Sequence, residues 1–315
     1  MMLQKRSMNK VLSIMGPTAS GKTDLAIRLS EKFNLEIISI DSVMLYKEFN
    51  IGSAKPDEKT LLKFPHKMVD ILEPNEKYSV AKFYKDLILN IKKLHESEKI
   101  PLLVGGSMMY FKTFFLGGLS ELNEVSTEIK IHVDKMFSEY SLSYIYDYIY
   151  NIDSEAAKKI HQNDKYRLRR MLEILLSNDN NPSDVINKCS KNVQPFNNLN
   201  LSIIPSDRVL LHDQIEIRLN NMIDNGLINE VIQLLEKYKS MKLPAMSTIG
   251  YKQVNEYLNG DINLEDMKSN ILAATRQLAK RQITWLRHLD STTVYSFLDY
   301  DNIYKRAKFF LADTK

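Results

Sequence analysis

The chain has 315 residues, 44% of them hydrophobic and 26% charged, which is ordinary for a globular protein and enough to bury a sizeable core with one insertion. Its net charge of +4 permits a nucleic-acid partner without requiring one. Cys189 is the only cysteine, which excludes an internal disulfide and a multi-cysteine zinc site, and the six histidines are scattered without ligand spacing.

In chain order, Met1 to Lys10 is polar and basic, and the apolar run after it is five residues long before the first glycine. This is neither a signal peptide nor a membrane span, so no membrane partner is expected and a cytoplasmic protein is. The run itself, Val11 to Met15, is β-type. It leads into Gly16-Pro17-Thr18-Ala19-Ser20-Gly21-Lys22-Thr23, and Asp24 to Leu29 follows with helical spacing. The eight residues fit G-x-x-x-x-G-K-[ST] at every fixed position, in the strand-to-helix context that a phosphate-binding loop requires. Glycines let the backbone wrap an anion with its N–H groups, while Lys22 supplies a point charge and Thr23 a hydroxyl for Mg²⁺. The pattern specifies a diphosphate or triphosphate ligand and leaves the reaction open.

A second β-type run, Glu36 to Ile40, ends at Asp41-Ser42, and a third, Pro101 to Val104, ends at Gly105-Gly106-Ser107, with a helical stretch from Val80 to Glu96 between them. Strands alternating with helices predict an α/β fold built on a P-loop-type parallel sheet flanked by helices. Ligands of such sheets gather beyond the carboxyl ends of the strands, so Gly16 to Thr23, Asp41 and Ser107 are expected around one cleft. From about Gly118 the texture changes. Thr127 to Tyr150 is rich in charge and tyrosine, Glu155 to Leu176 has helical spacing, and Ser177 to Asn200 reads as loop. These predict a mainly α-helical insertion over 119–199 within a core of 1–118 and 200–315. A strand over Leu201 to Ile204 and helices over His212 to Met222, Leu227 to Tyr238 and Leu264 to Leu289 complete the core. On the last helix Arg276, Lys280 and Arg287 share one face and Ile271, Leu278 and Trp285 another, which places Trp285 in the core.

Several of these segments together resemble one family, the tRNA dimethylallyltransferases. They are the loop Gly16 to Thr23, Asp41-Ser42 with Tyr46-Lys47 and Ile51-Gly52-Ser53-Ala54-Lys55-Pro56, Gly105 to Tyr110, and Ala274 to Arg287. The likeness runs in order from Met15 to about His288, and its last stretch is not a generic nucleotide-binding pattern. The resemblance implies transfer of a dimethylallyl group from dimethylallyl diphosphate to the exocyclic amine of the adenosine 3′ to the anticodon, with Mg²⁺ as cofactor. The partners it implies are a tRNA anticodon stem-loop and the prenyl diphosphate.

Residue by residue, the resemblance makes Asp41 the general base and sets Gly16, Pro17, Thr18, Ala19, Ser20, Gly21, Lys22 and Thr23 around the diphosphate, with Thr23 on the metal. Arg218 matches an arginine that reaches the diphosphate. Ser107 stands where the family usually has threonine, keeping the hydroxyl and losing the methyl. Contact with tRNA is implied at Asp41, Ser42, Val43, Met44, Ser107, Lys130, Tyr166, Arg167, Leu168, Arg169, Arg170, Ser247, Thr248, Ile249, Gly250, Tyr251 and Lys252. Lys165-Tyr166 departs from the usual Pro-Gln, and Lys130 and Lys252 replace arginines, which keeps charge and loses the bidentate fork. The target base must swing out of its stack to meet Asp41, and the insertion is then the grip on the anticodon stem. Two alternatives stand beside this reading: a nucleoside or nucleotide kinase, since a phosphate loop with an Asp after the second strand also suits phosphoryl transfer, and a non-catalytic RNA-binding protein. A monomer is the default.

Overall fold

The computed structural model describes residues 9–118, 125–177, 181–183, 195–239, 241–289, 292–296 and 299–312. Six parallel strands form one sheet in the order β3-β2-β4-β1-β5-β6. They are β1 (Lys10–Met15), β2 (Leu35–Ile40), β3 (His66–Lys67), β4 (Ile100–Gly105), β5 (Asn197–Ile203) and β6 (Thr293–Tyr295). The central strands β1, β2 and β4 are buried along almost their whole length. That explains their near-continuous apolar runs, because a parallel strand covered on both faces has no solvent side to alternate toward.

The first helices are α1 (Lys22–Ser30), α2 (Glu58–Lys63), α3 (Val80–Glu96) and α4 (Met108–Phe115). Leu25, Ala26 and Leu29 of α1 pack with Leu12, Ile14, Ile37, Leu102, Val104, Leu201 and Ile203 on one side of the sheet. Helix α3 lies against β2 and β4, with Phe83, Leu87, Ile91 and Leu94 buried at helical spacing outside that cluster. Ser79 caps α3 by accepting from the Lys82 N–H at 3.1 Å, which fixes where the helix begins.

Residues Lys112–Gln194 form a compact unit distinct from Met1–Phe111 with Pro195–Lys315. It contains α5 (Thr127–Glu139), α6 (Leu142–Ile152), the single turn α7 (Ser154–Ala157) and α8 (Lys165–Ser177). The stretch from Thr127 to Tyr150 is two helices because Ser141 caps a new one, its Oγ accepting from Tyr144 N–H at 3.2 Å. Val133, Ile145, Ile149, Ala156 and Leu168 make up the centre of this unit's own core. The expected helix over Glu155 to Leu176 is interrupted between Ala157 and Lys165.

The larger unit continues with α9 (Arg208–Asp224), α10 (Leu227–Lys237), a 3₁₀ turn at Pro244–Ser247, α11 (Tyr251–Leu258), α12 (Leu264–Arg287) and α13 (Tyr300–Ala312). Strand β5 starts at Asn197, inside the stretch expected to be loop up to Asn200. Its polar half pairs with β1, Lys10 to Asn197 through Ser13 to Asn200, so ladder bonds override the weak β-propensity of asparagine. Of the other residues in that stretch, 178–180 and 184–194 lie outside the described residues.

Glu230 of α10 ties the segment after β2 to the helical layer. Its carboxylate accepts from the backbone N–H groups of Asn50, Ile51 and Gly52 at 3.1, 2.7 and 3.2 Å, and from the Tyr251 hydroxyl at 2.6 Å. Burial and the neighbouring Glu230 charge raise the Tyr251 hydroxyl pKa well above its ordinary value. Lys55 secures the other end of the segment, donating to Tyr46 O, Asn50 Oδ1 and Asp70 Oδ1 at 2.9, 2.8 and 2.5 Å. Glu230→Ala leaves three backbone donors and a buried phenol without their acceptor, at a cost of about 2–3 kcal/mol. Amide exchange at residues 50–52 is expected to accelerate about 100-fold, which hydrogen-exchange mass spectrometry on that peptide reads directly.

Candidate active site

Because the strands are parallel, their carboxyl ends share one rim. β1 runs into the loop Gly16 to Thr23, β2 into Asp41, and β4 into Gly105-Gly106-Ser107. Helices α9 and α12 and the segment Ser247 to Gly250 complete a cleft of about 660 Å³. Thr18, Lys22, Thr23, Asp41 and Ser107, from the ends of three strands, line it together with Ser42, Val43, Met44 and Arg218.

Gly21, with φ of +74°, caps α1 in the left-handed region and leaves the helix N-terminus without a side-chain cap. Such an end offers unpaired N–H groups to an anion. The Lys22 ammonium donates to Pro17 O and, at 3.3 Å, to Ser20 Oγ, so its hydrogen-bond partners among the described residues are in its own loop. Burial, followed by the Arg218 charge, lowers its pKa from 10.5 to about 7, against a smaller opposing pull from Asp41. Burial lowers the Arg218 pKa too, again opposed by Asp41. The Arg218 guanidinium makes no hydrogen bond or ion pair among the described residues. Two enclosed cations, with Arg281 as a third lining residue of the same sign, therefore face a cleft in which Asp41 is the one lining carboxylate among the described residues.

Asp41 Oδ1 accepts from the N–H groups of Val43 and Met44 at 2.8 and 3.2 Å. This is an Asx turn that orients the carboxylate, and it leaves Oδ2 with no hydrogen bond among the described residues. The Ser107 backbone N–H donates to Ile40 O at 3.3 Å, while its hydroxyl is uncommitted among them. Ser247, Thr248, Ile249 and Gly250 share the cleft wall.

Two residues expected to touch RNA are placed elsewhere. Tyr251 is fully buried and holds Glu230, so its side chain is a packing group. Leu168 is equally buried, in the core of the helical unit, because it lies on the inward face of α8. Tyr166 on the same helix is 81% exposed. Arg169 pairs with Asp134 at 2.6 Å and Glu173 at 3.3 Å, Arg170 with Glu173 at 3.1 Å, and Arg167 with Asp164 at 3.4 Å. Lys130 is exposed, and Lys252 pairs loosely with Glu256 at 3.6 Å.

Trp285, expected in the core, is half-buried and lines the cleft with Ile271, Leu278 and Gln282. A helical stripe that faces an apolar cleft has the same period as one that faces a core. On the other face, Arg276 meets Glu216 at 3.5 Å while Lys280 and Arg287 are exposed. No local pattern marks Gln282 for a role, and only its place within Ala274 to Arg287, a segment that carries the family resemblance, hints at one.

A parallel sheet with a glycine-rich loop, an uncapped helix end and two converging cations at its carboxyl rim defines a phosphate-ester-binding α/β protein. Comparison narrows the class. The IPP transferase family model matches residues 44–289, and the chain belongs to that family. A full-length tRNA isopentenylpyrophosphate transferase from Bacillus halodurans is 29% identical, with a TM-score of 0.70, over 97% of this chain and 96% of that one. A tRNA Δ(2)-isopentenylpyrophosphate transferase from Staphylococcus epidermidis is 28% identical, with a TM-score of 0.69, over 96% and 99%. A eukaryotic dimethylallyltransferase acting on tRNA is 27% identical, with a TM-score of 0.81, over 95% of this chain and 77% of that one.

The state of Lys22 makes anion binding pH-dependent. Above pH 7 the lysine is largely neutral in the free protein, and a diphosphate beside it restores the proton, so binding takes one up. For an alkyl diphosphate, Kd should rise with pH toward a limit of about tenfold per pH unit above pH 7.5. Lys22→Arg, which stays charged, should flatten that slope. Calorimetry in buffers of different ionisation enthalpy measures the proton uptake.

Proposed function

We propose that the chain transfers a dimethylallyl group from dimethylallyl diphosphate to the exocyclic amine of the adenosine 3′ to the anticodon of a tRNA. The observation that carries this reading is the composition of the cleft: an enclosed Lys22, an Arg218 and an Asp41 Oδ2 uncommitted among the described residues, and Met108, Ile215, Leu219, Met222, Ile271 and Leu278 among the other lining residues. The cations suit a diphosphate and the apolar lining suits a short alkyl chain.

In the reaction the amine nitrogen forms a bond to the allylic carbon as the carbon–oxygen bond to diphosphate breaks. The amine's proton passes to Asp41 Oδ2, and the bonding pair leaves with the diphosphate. An adenine amine is a weak nucleophile, so a positioned base and a stabilised leaving group both lower the barrier. The loop N–H groups, Lys22 and Arg218 take up the charge that develops on the diphosphate. The Ser107 hydroxyl is available to hold the base or the bridging oxygen.

The Thr23 hydroxyl is a hard oxygen donor in the cleft, which suits Mg²⁺, since that ion binds through few protein oxygens and completes its shell with phosphate and water. Such an ion would neutralise charge on the diphosphate. In the helical unit, exposed Lys130 and Tyr166 together with Arg167 offer phosphate contact and a stacking face to an anticodon stem-loop. No helix among the described residues is long and apolar enough to cross a membrane, and we place the enzyme in the cytoplasm as a monomer.

Asp41→Asn keeps the Asx turn and removes the base. With Mg²⁺, labelled dimethylallyl diphosphate and a tRNA carrying consecutive adenosines in its anticodon loop, incorporation should fall by about 10²–10⁴-fold, with diphosphate affinity changed little. Undiminished incorporation by this variant removes Asp41 from the role, and no incorporation by folded wild type with phosphate transfer from ATP instead makes the protein a kinase.

A further inference from the structure

We infer that Gln282 is a positioning residue that holds the phosphate-binding loop against the Ser107 loop and so sets the distance between the diphosphate clamp and the acceptor base. This rests on the reading of the cleft given above. Gln282 sits on the cleft face of α12, 7% exposed, beside Leu278 and Trp285. Its Oε1 accepts from the Thr18 backbone N–H at 2.9 Å, and its Nε2 donates to Gly106 O at 2.8 Å. One buried amide thus joins the turn after β1 to the turn after β4.

The two loops approach closely without it. A β-carbon built on Gly106 would lie 2.5 Å from Gln282 Nε2 and 3.3 Å from Gly16 O, so position 106 has room only for glycine while the bridge is in place. Gly106 precedes Ser107, and Thr18 stands in the middle of the loop that ends in Lys22 and Thr23. Any shift between these turns changes where the anion sits relative to the hydroxyl and to Asp41. The chemistry of the bridge is specific. It needs one acceptor facing an N–H and one donor facing a carbonyl, which a neutral primary amide provides and an ionised carboxylate does not. The bridge also consumes the Thr18 N–H, so this donor holds the loop's shape and the following N–H groups face the anion.

Two variants test the assignment. Gln282→Met fills the same space without either hydrogen bond. Gln282→Glu keeps the acceptor toward Thr18 but sets a carboxylate against Gly106 O at neutral pH, and regains a donor when protonated. For Gln282→Met, kcat for prenyl transfer should fall about 10- to 100-fold, with weaker pyrophosphate binding by calorimetry and KM for tRNA within about twofold. For Gln282→Glu, kcat relative to wild type at the same pH should recover as pH falls from 7.5 to 5.5, a dependence that a packing role does not produce. Wild-type kcat and pyrophosphate affinity in Gln282→Met, or a Gln282→Glu deficit independent of pH, overturns the assignment while wild type still binds and transfers. Should Gln282→Met fail to fold, the pH dependence of Gln282→Glu decides alone. A folded wild type that neither binds pyrophosphate nor transfers removes the cleft reading, and this inference falls with it.

Discussion

The cleft is organised by an unfavourable encounter. Lys22 and Arg218 are drawn from water into the same space, where burial and mutual repulsion both act against their charges. Asp41 offsets part of this, but one carboxylate cannot balance two cations and also remain free to accept a proton. An anion with several negative oxygens resolves the conflict, and its affinity derives from relieving a strain that the fold maintains. A P-loop whose lysine is paired with a neighbouring carboxylate would bind less and repel less.

Such a strain persists only if the loops that carry it cannot move apart, and the tethers of this core are suited to that requirement. Glu230 collects three consecutive backbone N–H groups after β2, Lys55 closes the other end of that segment, and Gln282 joins the loops after β1 and β4. Each uses one side chain to satisfy several polar groups, three backbone N–H groups for Glu230, one carbonyl and two side-chain oxygens for Lys55, and one N–H and one carbonyl for Gln282, so releasing any of them exposes more than one orphan. Lys10 acts similarly at the far end of β1, donating to Phe310 O at 2.8 Å and Leu311 O at 3.2 Å in the last turn of α13, where a cation also meets the negative helix terminus.

How much of this could be read from the sequence follows from the range of each interaction. The phosphate loop, Asp41 and the three apolar strands are local patterns, and fully buried parallel strands are the easiest of all to see. Strands of two and three residues, β3 and β6, exist only through pairing with a neighbour and have no signature of their own. Asn197 to Asn200 carry a polar signature that β1 overrides. Periodicity points Trp285 to the core because it reports apolar surroundings and not whether they are open. Leu168 and Tyr166, two residues apart on α8, face opposite ways, which a motif match over Tyr166 to Arg170 does not resolve. Gln282 lies 264 residues from Thr18 and 176 from Gly106, and no local feature predicts that meeting.

The same phosphate loop serves kinases, and the difference lies in what surrounds the far side of the phosphates. Phosphoryl transfer places the reacting atom within the anion and needs charge around its oxygens. Here Lys22, Arg218 and Arg281 share the cleft with one lining carboxylate, while Met108, Ile215, Leu219, Met222, Ile271 and Leu278 give it an apolar lining as well. In the proposed reaction an alkyl chain on that lining would be desolvated, with its reactive carbon in reach of Asp41, the lining carboxylate. Charge that builds on the carbon during bond breaking meets no competing water, and charge that builds on the leaving oxygens meets Lys22 and Arg218. In the proposed reaction, an apolar lining beside the cations would favour cleavage at the carbon–oxygen bond over cleavage at phosphorus.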